Sequence, residues 1–248
     1  MPIARVIAGT AALRAEPDRD AELVDQLRYG ERVTILAAPG SSFSFIQARE
    51  DHYFGWVERT AISETDEVPA RVVVTRALAT LSDAPLGASI DTLPAGTWIE
   101  PREARGPSVS LRQGWLRSDD LTAAERLPFR SPTSEDLLAA ARAFVDVPYL
   151  WGGTTARGLD CSGLVQLAYR LCGIVLTRDA EQQATQGRPV TGDPRAADLL
   201  FFGSPADHVG MFIADGAMIH AAGGDVGRVV EQPVAERGTP VSVRRYLP

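Results

Sequence analysis

The spacing of apolar residues changes near residue 130, and this change constrains the fold more than any other feature of the sequence. Residues 1 to about 126 contain short apolar runs separated by Gly, Pro and Asp turns, which is typical of small β-domains. After that point, apolar residues recur first at helical spacing and then in short runs. The proline-containing stretch 127–132 is the predicted linker. The sequence therefore predicts small all-β barrels followed by an α+β domain.

A weak internal repeat divides the first part of the chain. The L-x-x-G pattern of residues 27–30 recurs at 93–96, and G-W-V at 55–57 has a counterpart in G-W-L at 114–116. Each copy resembles a bacterial SH3-like domain, and the first copy matches better. We therefore predict one SH3-like barrel over residues 1–65, a second over 66–126, and a third domain over 127–248. The alternative is that two unrelated small β-domains share these features.

The composition excludes several classes of function. The chain has 248 residues, a formal net charge of −7 and no Lys, which removes Schiff-base and Walker-type lysine chemistry. The negative charge argues against a nucleic-acid partner and against a polybasic membrane surface. The N-terminus lacks the pattern of a signal peptide, and no apolar run approaches the roughly 20 residues that span a bilayer. We expect a cytoplasmic protein without a nucleic-acid or membrane partner.

Two helices are predicted at the start of the third domain. The first has Ser134 as its candidate N-cap, an apolar stripe that includes Val145, and an end at Pro148. The second runs from Cys161 to about Cys172 and stops at Gly173. With only these two cysteines on one helix, no disulfide framework is expected.

The two cysteines have different predicted roles. Cys161 lies in the first helical turn, where unpaired N–H groups and the helix dipole favour a thiolate, so it is a candidate nucleophile. Cys172 has the spacing of a core residue and is interpreted as packing.

Two of the three histidines follow Cys161 on predicted neighbouring strands. His208 and His220 flank the turn 214–216 of a predicted hairpin, so their side chains can share one face. A cysteine nucleophile needs a His base and a third group that orients the His, which predicts Cys161, His208 and His220 as the catalytic set. A metal site is the alternative, but it lacks a fourth ligand, so we predict no metal and no cofactor. His52 is interpreted as a surface or binding residue of the first barrel.

Several motifs in one order carry a resemblance to a known family. They are P-Y-L-W-G-G at 148–153, L-D-C-S-G-L-V at 159–165, D-L-L-F-F at 198–202, H-V-G-M-F at 208–212 and I-H-A at 219–221. Together they resemble the NlpC family of cell-wall cysteine peptidases over essentially all of residues 132–248. The resemblance implies a papain-like NlpC-type catalytic domain with Cys161 as nucleophile, His208 as base and His220 as the third member.

The resemblance also implies substrate-binding residues. Relatives with SH3-like domains line the substrate cleft with a tyrosine, an aspartate and a serine, which map to Tyr149, Asp160 and Ser162. Tyr149 and the Cys161 N–H suit an oxyanion site, Asp160 a substrate ammonium, and Ser162 the polar groups of a substrate. Helix capping is the alternative for Asp160 and Ser162. Ala180 departs from the family pattern, in which a small hydroxyl residue is common, and this removes one substrate hydrogen bond.

The implied activity is that of a γ-D-glutamyl-L-diamino acid endopeptidase. Such relatives hydrolyse the bond between γ-D-glutamate and a diamino acid in murein peptides with a free N-terminal L-Ala, and their SH3-like domain walls off the cleft. The expected partner is thus a murein-derived peptide, and the expected role is wall-peptide recycling. Two alternatives stay open: a cysteine amidase or acyltransferase acting on another amide or ester, and a catalytically inert protein that binds wall peptides.

Overall fold

A computed structural model of the chain describes residues 1–38, 40, 42–64, 72–123, 126 and 131–248. The chain forms two compact units, Met1–Leu127 and Pro128–Pro248. The predicted linker residues 127–130 and the predicted boundary at 65/66 lie outside the described residues.

The first half of the first unit is a seven-stranded antiparallel sheet. Its strands are β1 (Ile3–Val6), β2 (Thr10–Arg14), β3 (Leu23–Arg28), β4 (Arg32–Ala37), β5 (Phe43–Ala48), β6 (Phe54–Glu58) and β7 (Ile62–Ser63), with a 3-10 helix at Arg59–Ala61. They are hydrogen-bonded in the order β3-β2-β6-β5-β4-β1-β7. Alternate residues point inward, and Leu13 of β2 and Val57 of β6 are fully buried.

The second half of the first unit repeats this chain order with shorter strands. They are β8 (Val72–Val74), β9 (Leu78–Ser82), β10 (Ser89–Pro94), β11 (Trp98–Ile99), β12 (Ala104–Arg105), β13 (Ser108–Ser110), β14 (Trp115–Arg117) and β15 (Leu121–Ala123), with a 3-10 helix at Ser118–Asp120. They form a five-stranded sheet, β10-β9-β14-β13-β12, and a three-stranded sheet, β11-β8-β15.

The repeated L-x-x-G motif forms the same turn in both halves. Gly30 has φ +81° and Gly96 has φ +79°, a region that favours glycine. The N–H of Gly30 donates to the carbonyl of Val6 at 2.9 Å, and the N–H of Gly96 donates to the carbonyl of Val74 at 2.9 Å. The leucine of each motif is buried. The prediction of two SH3-like barrels is confirmed.

The second unit combines helices with one main sheet. Its helices are α1 (Ser134–Arg142), α2 (Cys161–Leu171), α3 (Ala180–Gln183) and α4 (Val234–Arg237). Its strands are β16 (Thr154–Thr155), β17 (Gly158–Leu159), β18 (Arg188–Pro189), β19 (Leu199–Phe202), β20 (His208–Phe212), β21 (Ala217–Ala222), β22 (Arg228–Pro233) and β23 (Ser242–Arg245). No helix among the described residues has the length and hydropathy to cross a bilayer.

The helix α2 lies at the centre of this unit and packs against β20 and β21. The main sheet is antiparallel in the order β18-β23-β19-β20-β21-β22, and β16 and β17 form a separate hairpin. The first nine residues of α2 are all buried. The α+β papain-like class predicted for this domain is confirmed.

The first helix departs from its prediction at both ends. Thr133, not Ser134, is the N-cap, because Thr133 and Asp136 exchange the two hydrogen bonds of a capping box. The helix ends at Arg142, well before Pro148, and the chain then turns with Asp146 at φ +67°. This turn leaves Val145 exposed, contrary to the predicted stripe.

The second helix and the hairpin agree with their predictions. The helix α2 begins at Cys161, and its last turn is capped at Cys172 and followed by Gly173 at φ +79°. Strands β20 and β21 pair through Met211 with Ile219 and Phe212 with Met218.

Candidate active site

The N-terminus of α2 explains the D-C-S-G spacing. Asp160 is the N-cap, and its Oδ1 accepts the N–H of Gly163 at 2.7 Å. Cys161 is the first helical residue. A Cβ atom at Gly163 would clash with the carbonyl oxygen of Gly153. The glycine therefore lets the helix approach the backbone of 148–153, and this approach fixes the position of Cys161.

Asp160 forms a buried ion pair with Arg178, a residue that the sequence did not single out. The Arg178 side chain is 2% exposed, and its two terminal nitrogens lie 2.5 and 3.1 Å from the two Asp160 oxygens. Ser162 Oγ donates to Asp160 at 3.1 Å and accepts from Arg178 at 2.8 Å. Gly152 N–H adds a bond of 2.9 Å to Asp160 Oδ2. Every oxygen of the carboxylate is thus engaged within the protein, as the capping alternative expects.

The Cys161 thiol is buried, and its burial has a large electrostatic effect. Burial, followed by the charge of Asp160, raises the pKa of Cys161 to about 11. The N–H groups of Val209 and Ser162, which hydrogen-bond to the sulfur, and the charge of Arg178 act in the opposite direction. Burial therefore acts against the preference of the helix terminus for a thiolate and outweighs the favourable N–H groups in the resting protein.

His208 and His220 lie side by side, as their places on the hairpin predict. Nε2 of His208 is 2.7 Å from Nδ1 of His220, and the two rings are nearly perpendicular at 89°. His208 precedes Val209, whose N–H reaches the Cys161 sulfur, so the backbone that carries His208 passes beside the cysteine. Burial, with smaller effects from the charges of His220 and Arg237, lowers the pKa of His208 to about 3. Burial also lowers the pKa of His220, and both rings are neutral near pH 7.

The hydrogen bond between the two rings limits which ring nitrogen of each histidine carries its hydrogen. Because Nε2 of His208 faces His220, Nδ1 is the ring nitrogen of His208 that this contact does not use. If Nδ1 is to accept a proton, the His208 hydrogen lies on Nε2 and is donated to Nδ1 of His220. The His220 hydrogen then lies on its own Nε2, which is buried and has no partner of full hydrogen-bond geometry among the described residues.

Gln232 is the side chain placed to accept this last hydrogen. In the pairing of β21 with β22, His220 faces Val230 and Met218 faces Gln232, so Gln232 is a diagonal neighbour of His220 on one face. A hydrogen bond from the His220 ring to the side-chain oxygen of Gln232 acts to raise the pKa of His220. Nε2 of His220 has no fully formed hydrogen bond among the described residues, so the contact with Gln232 is an incomplete one. The sequence did not reveal Gln232, because its role depends on strand register.

Tyr149 is half-buried and lies in the electrostatic range of the cysteine. Burial, and then the charges of Cys161 and Asp160, raise the pKa of Tyr149 to about 12. Its hydroxyl therefore keeps its proton and can donate. Its ring lies 3.5 Å from where a Cβ of Gly223 would be, and its N–H donates to the carbonyl of Gly227 at 2.8 Å.

Arg237 of α4 is a second charged residue that the sequence did not single out. Its guanidinium is partly exposed and lies 3.9 Å from Asp207. The same charge lowers the pKa values of Tyr149, His208 and His220. A cationic group therefore faces the region that these three side chains share.

The other residues named from the sequence lie apart from this cluster. Cys172 is buried at the far end of α2, and both cysteines are free. His52 is exposed in a turn of the first barrel with φ +64°. Ala180 is buried as the first residue of α3. Within the described residues, no group of three or more His, Cys, Asp or Glu side chains could hold a metal ion.

Comparison with known proteins gives the family. The NlpC/P60 family model matches residues 146–240, and the model of the bacterial dipeptidyl-peptidase Sh3 domain matches residues 13–62. The chain is 31% identical to Dipeptidyl-peptidase 6 of Lysinibacillus sphaericus over 243 residues, which cover 88% of this chain and 86% of that protein. It is 28% identical to gamma-D-glutamyl-L-lysine dipeptidyl-peptidase of Bacillus subtilis over 213 residues, 79% of this chain and 71% of that protein.

A solved structure shows the same fold over the full length. An NlpC/P60 family protein from Bacillus cereus superposes with a TM-score of 0.87, at 24% identity, over 99% of this chain and 100% of that one. The sequence matches show that the chain belongs to the NlpC/P60 family of cysteine peptidases and carries a bacterial SH3-like domain before its catalytic domain.

Proposed function

We propose that this peptidase hydrolyses the bond between γ-D-glutamate and a diamino acid in murein peptides that begin with a free L-Ala. The observation that carries the proposal is the buried thiol of Cys161, which is reached by the N–H of Val209, next in the chain to a His208 that is hydrogen-bonded to His220. The names of relatives such as gamma-D-glutamyl-L-lysine dipeptidyl-peptidase support the substrate class.

The chemistry starts from a neutral pair. Because the pKa of Cys161 is raised and that of His208 is lowered, the resting site holds a thiol and a neutral imidazole. Nδ1 of His208 takes the thiol proton as the sulfur attacks the γ-carbonyl carbon. The same proton passes to the leaving amine when the C–N bond breaks, which leaves a thioester on Cys161. Water then attacks the thioester with His208 as base, and this step releases the γ-carboxylate and restores the thiol.

Two donors are proposed to stabilise the negative oxygen that forms during both attacks. They are the hydroxyl of Tyr149 and the backbone N–H of Cys161 at the helix terminus. A tyrosine that keeps its proton is a suitable donor, and a donor fixed before the reaction lowers the barrier more than one that must reorient. His220 is proposed as the group that orients His208 and shares its positive charge.

Asp160 and Ser162 are proposed to act mainly through position. The Asp160 carboxylate accepts five hydrogen bonds, from Gly152, Ser162, Gly163 and the two Arg178 nitrogens. A carboxylate offers about four lone-pair sites, so little capacity remains for a substrate ammonium. We therefore propose that Asp160, with Ser162, holds the start of α2 beside the substrate. Arg237 is proposed to attract the carboxylates of the substrate.

A recycling role in the cytoplasm is part of this proposal. A peptide with a free N-terminal L-Ala has already been separated from the glycan, so the proposed substrate is a wall fragment. Fractionation of cells that produce the protein tests its location. Recovery in the wall or medium would contradict the cytoplasmic part alone.

The activity is tested with L-Ala-γ-D-Glu-diaminopimelate and chromatographic detection of L-Ala-γ-D-Glu. We expect product from the wild type, no cleavage of the same peptide acetylated on L-Ala, and a loss of about four orders of magnitude or more in Cys161→Ala. Cys172→Ala is the matched control and should retain activity, because Cys172 is a buried packing residue. No product from the wild type, or undiminished activity in Cys161→Ala, would refute the proposal.

A further inference from the structure

A cavity of about 280 Å³ lies in the first unit, between the two barrels. The first barrel contributes Arg5 and Tyr29, and the second contributes Trp98, Arg102 and Arg112. The volume is just below the range of about 300–1,000 Å³ that is usual for small-molecule sites. The cavity therefore suits a ligand of about the size of a dipeptide.

The cavity is cationic, although the chain as a whole has a formal net charge of −7. Three guanidinium groups line it, and Glu100 is its one acidic lining residue. In the part of the chain that the structure describes, no ion pair engages Arg102, Arg112 or Glu100. Burial raises the pKa of Tyr29, while the charges of Arg112, Arg102 and Arg5 act to lower it. All three cations thus lie within electrostatic range of the Tyr29 hydroxyl.

Close contacts hold the two barrels in place around this cavity. The N–H of Gly9 donates to Asp91 Oδ2 at 2.9 Å, and Gln113 Nε2 donates to the carbonyl of Ile7 at 3.2 Å. A Cβ atom at Gly9 would clash with the carbonyl oxygen of Thr92. These contacts hold the backbones of the two barrels together around the cavity, which reduces the ordering cost of binding.

We propose that this cavity binds a small amino dicarboxylate, such as an acidic dipeptide with a free N-terminus. Guanidinium groups pair with carboxylates in bidentate geometry, so Arg102 and Arg112 are placed to hold the two carboxylates. Glu100 is placed to hold the ammonium, and the rings of Tyr29 and Trp98 to pack against the carbon chain. Only the choice of the first probe, L-Ala-γ-D-Glu, rests on the proposed function.

The test is isothermal titration of Cys161→Ala protein with L-Ala-γ-D-Glu, so that binding is measured without hydrolysis. We expect Arg102→Ala/Arg112→Ala to weaken the cavity binding at least tenfold, while Arg117→Ala, an exposed arginine of the same barrel that pairs with Asp119, leaves it unchanged. Binding in the catalytic unit would survive the double substitution, so only the lost portion reports the cavity. Unchanged total binding in the double variant would overturn the proposal.

Two further measurements keep the outcome interpretable. Glu100→Gln should weaken the dipeptide severalfold but leave succinate, which has no ammonium, unaffected. Inorganic phosphate should bind less well than the dipeptide, and equal affinity would overturn the dicarboxylate assignment. A wild type that binds but does not cleave murein peptides would refute the proposed function and leave this site intact.

Discussion

Two buried polar clusters near Cys161 differ in charge: one is an ion pair, and the other is a neutral pair of histidines. The Asp160–Arg178 cluster holds two full charges of opposite sign, and hydrogen bonds engage every carboxylate oxygen. The His208–His220 pair is neutral near pH 7, because burial lowers both pKa values. The first arrangement resists change and fixes the helix. The neutral histidine pair can accept a proton, and the proposed mechanism requires His208 to accept the proton of the thiol.

The largest effect expected from this contrast is in the alkylation of Cys161. Because the pKa of the thiol is raised to about 11, the thiolate fraction should grow about tenfold per pH unit. The rate with iodoacetamide should therefore rise about a thousandfold from pH 6 to pH 9 without a bend. The rate is measured in Cys172→Ala protein, so that only one thiol reacts.

Two other dependences of the alkylation rate on pH would contradict the contrast between a charged cluster and a neutral histidine pair. A plateau between pH 5 and pH 7 would show a thiolate–imidazolium pair in the resting protein, and both clusters would then store charge. A bend near pH 8.5 would show an ordinary thiol.

The next effect is on stability and concerns the charged cluster. Arg178→Met leaves the Asp160 carboxylate buried without its cation, which should lower the free energy of unfolding by at least about 3 kcal/mol. Arg142→Met is the matched control, since Arg142 pairs with Glu231 at 2.6 Å but both side chains are exposed. That change should cost less than about 1 kcal/mol.

Denaturant unfolding of the two variants gives these values. Adding Asp160→Asn to Arg178→Met should recover part of the loss, because the stranded charge is then gone. Equal and small losses in Arg178→Met and Arg142→Met would show that the buried pair does not stabilise the unit.

The smallest expected effect concerns Nε2 of His220, the nitrogen of the neutral histidine pair that faces away from His208. Gln232→Ala removes the acceptor proposed for the Nε2 hydrogen of His220, which loosens the tautomer that His208 needs. We expect kcat to fall about tenfold with little change in KM, by analogy with other outer partners of functional histidines. Gln232→Glu keeps an acceptor and should recover part of kcat.

A neighbouring residue gives the control for this prediction. Glu231 lies beside Gln232 on β22 but pairs with Ile219 and is exposed, so Glu231→Ala should leave kcat unchanged. A loss confined to KM in Gln232→Ala, or an equal loss of kcat in Glu231→Ala, would contradict the role of Gln232.

The fold was predictable where local chemistry decides it. The L-x-x-G turns, the start of α2 and the hairpin of β20 and β21 each rest on glycine turns or short-range spacing. The start of α1 was not predictable in this way, because Thr133 and Ser134 are both good N-caps. The structure chose Thr133 because Asp136, three residues on, completes its capping box.

The residues of the candidate site were predictable as a group, but the electrostatic effect of their burial was not. The motifs named Cys161, His208 and His220, whereas the pKa of Cys161 depends on how deeply tertiary packing buries it. The partner of Asp160 was also hidden, since Arg178 lies 18 residues away in a loop. Helix position alone favours a thiolate, and burial acts against that preference.

The backbone bonds of Tyr149 have a consequence for ligand design. Its N–H is bound to Gly227 and its ring rests on Gly223, while Gly152 three residues later is bound to Asp160. A ligand that pushed this tyrosine aside would have to break those bonds and disturb the support of the nucleophile. Inhibitors should therefore be designed to fit against Tyr149 in its present position and not to displace it.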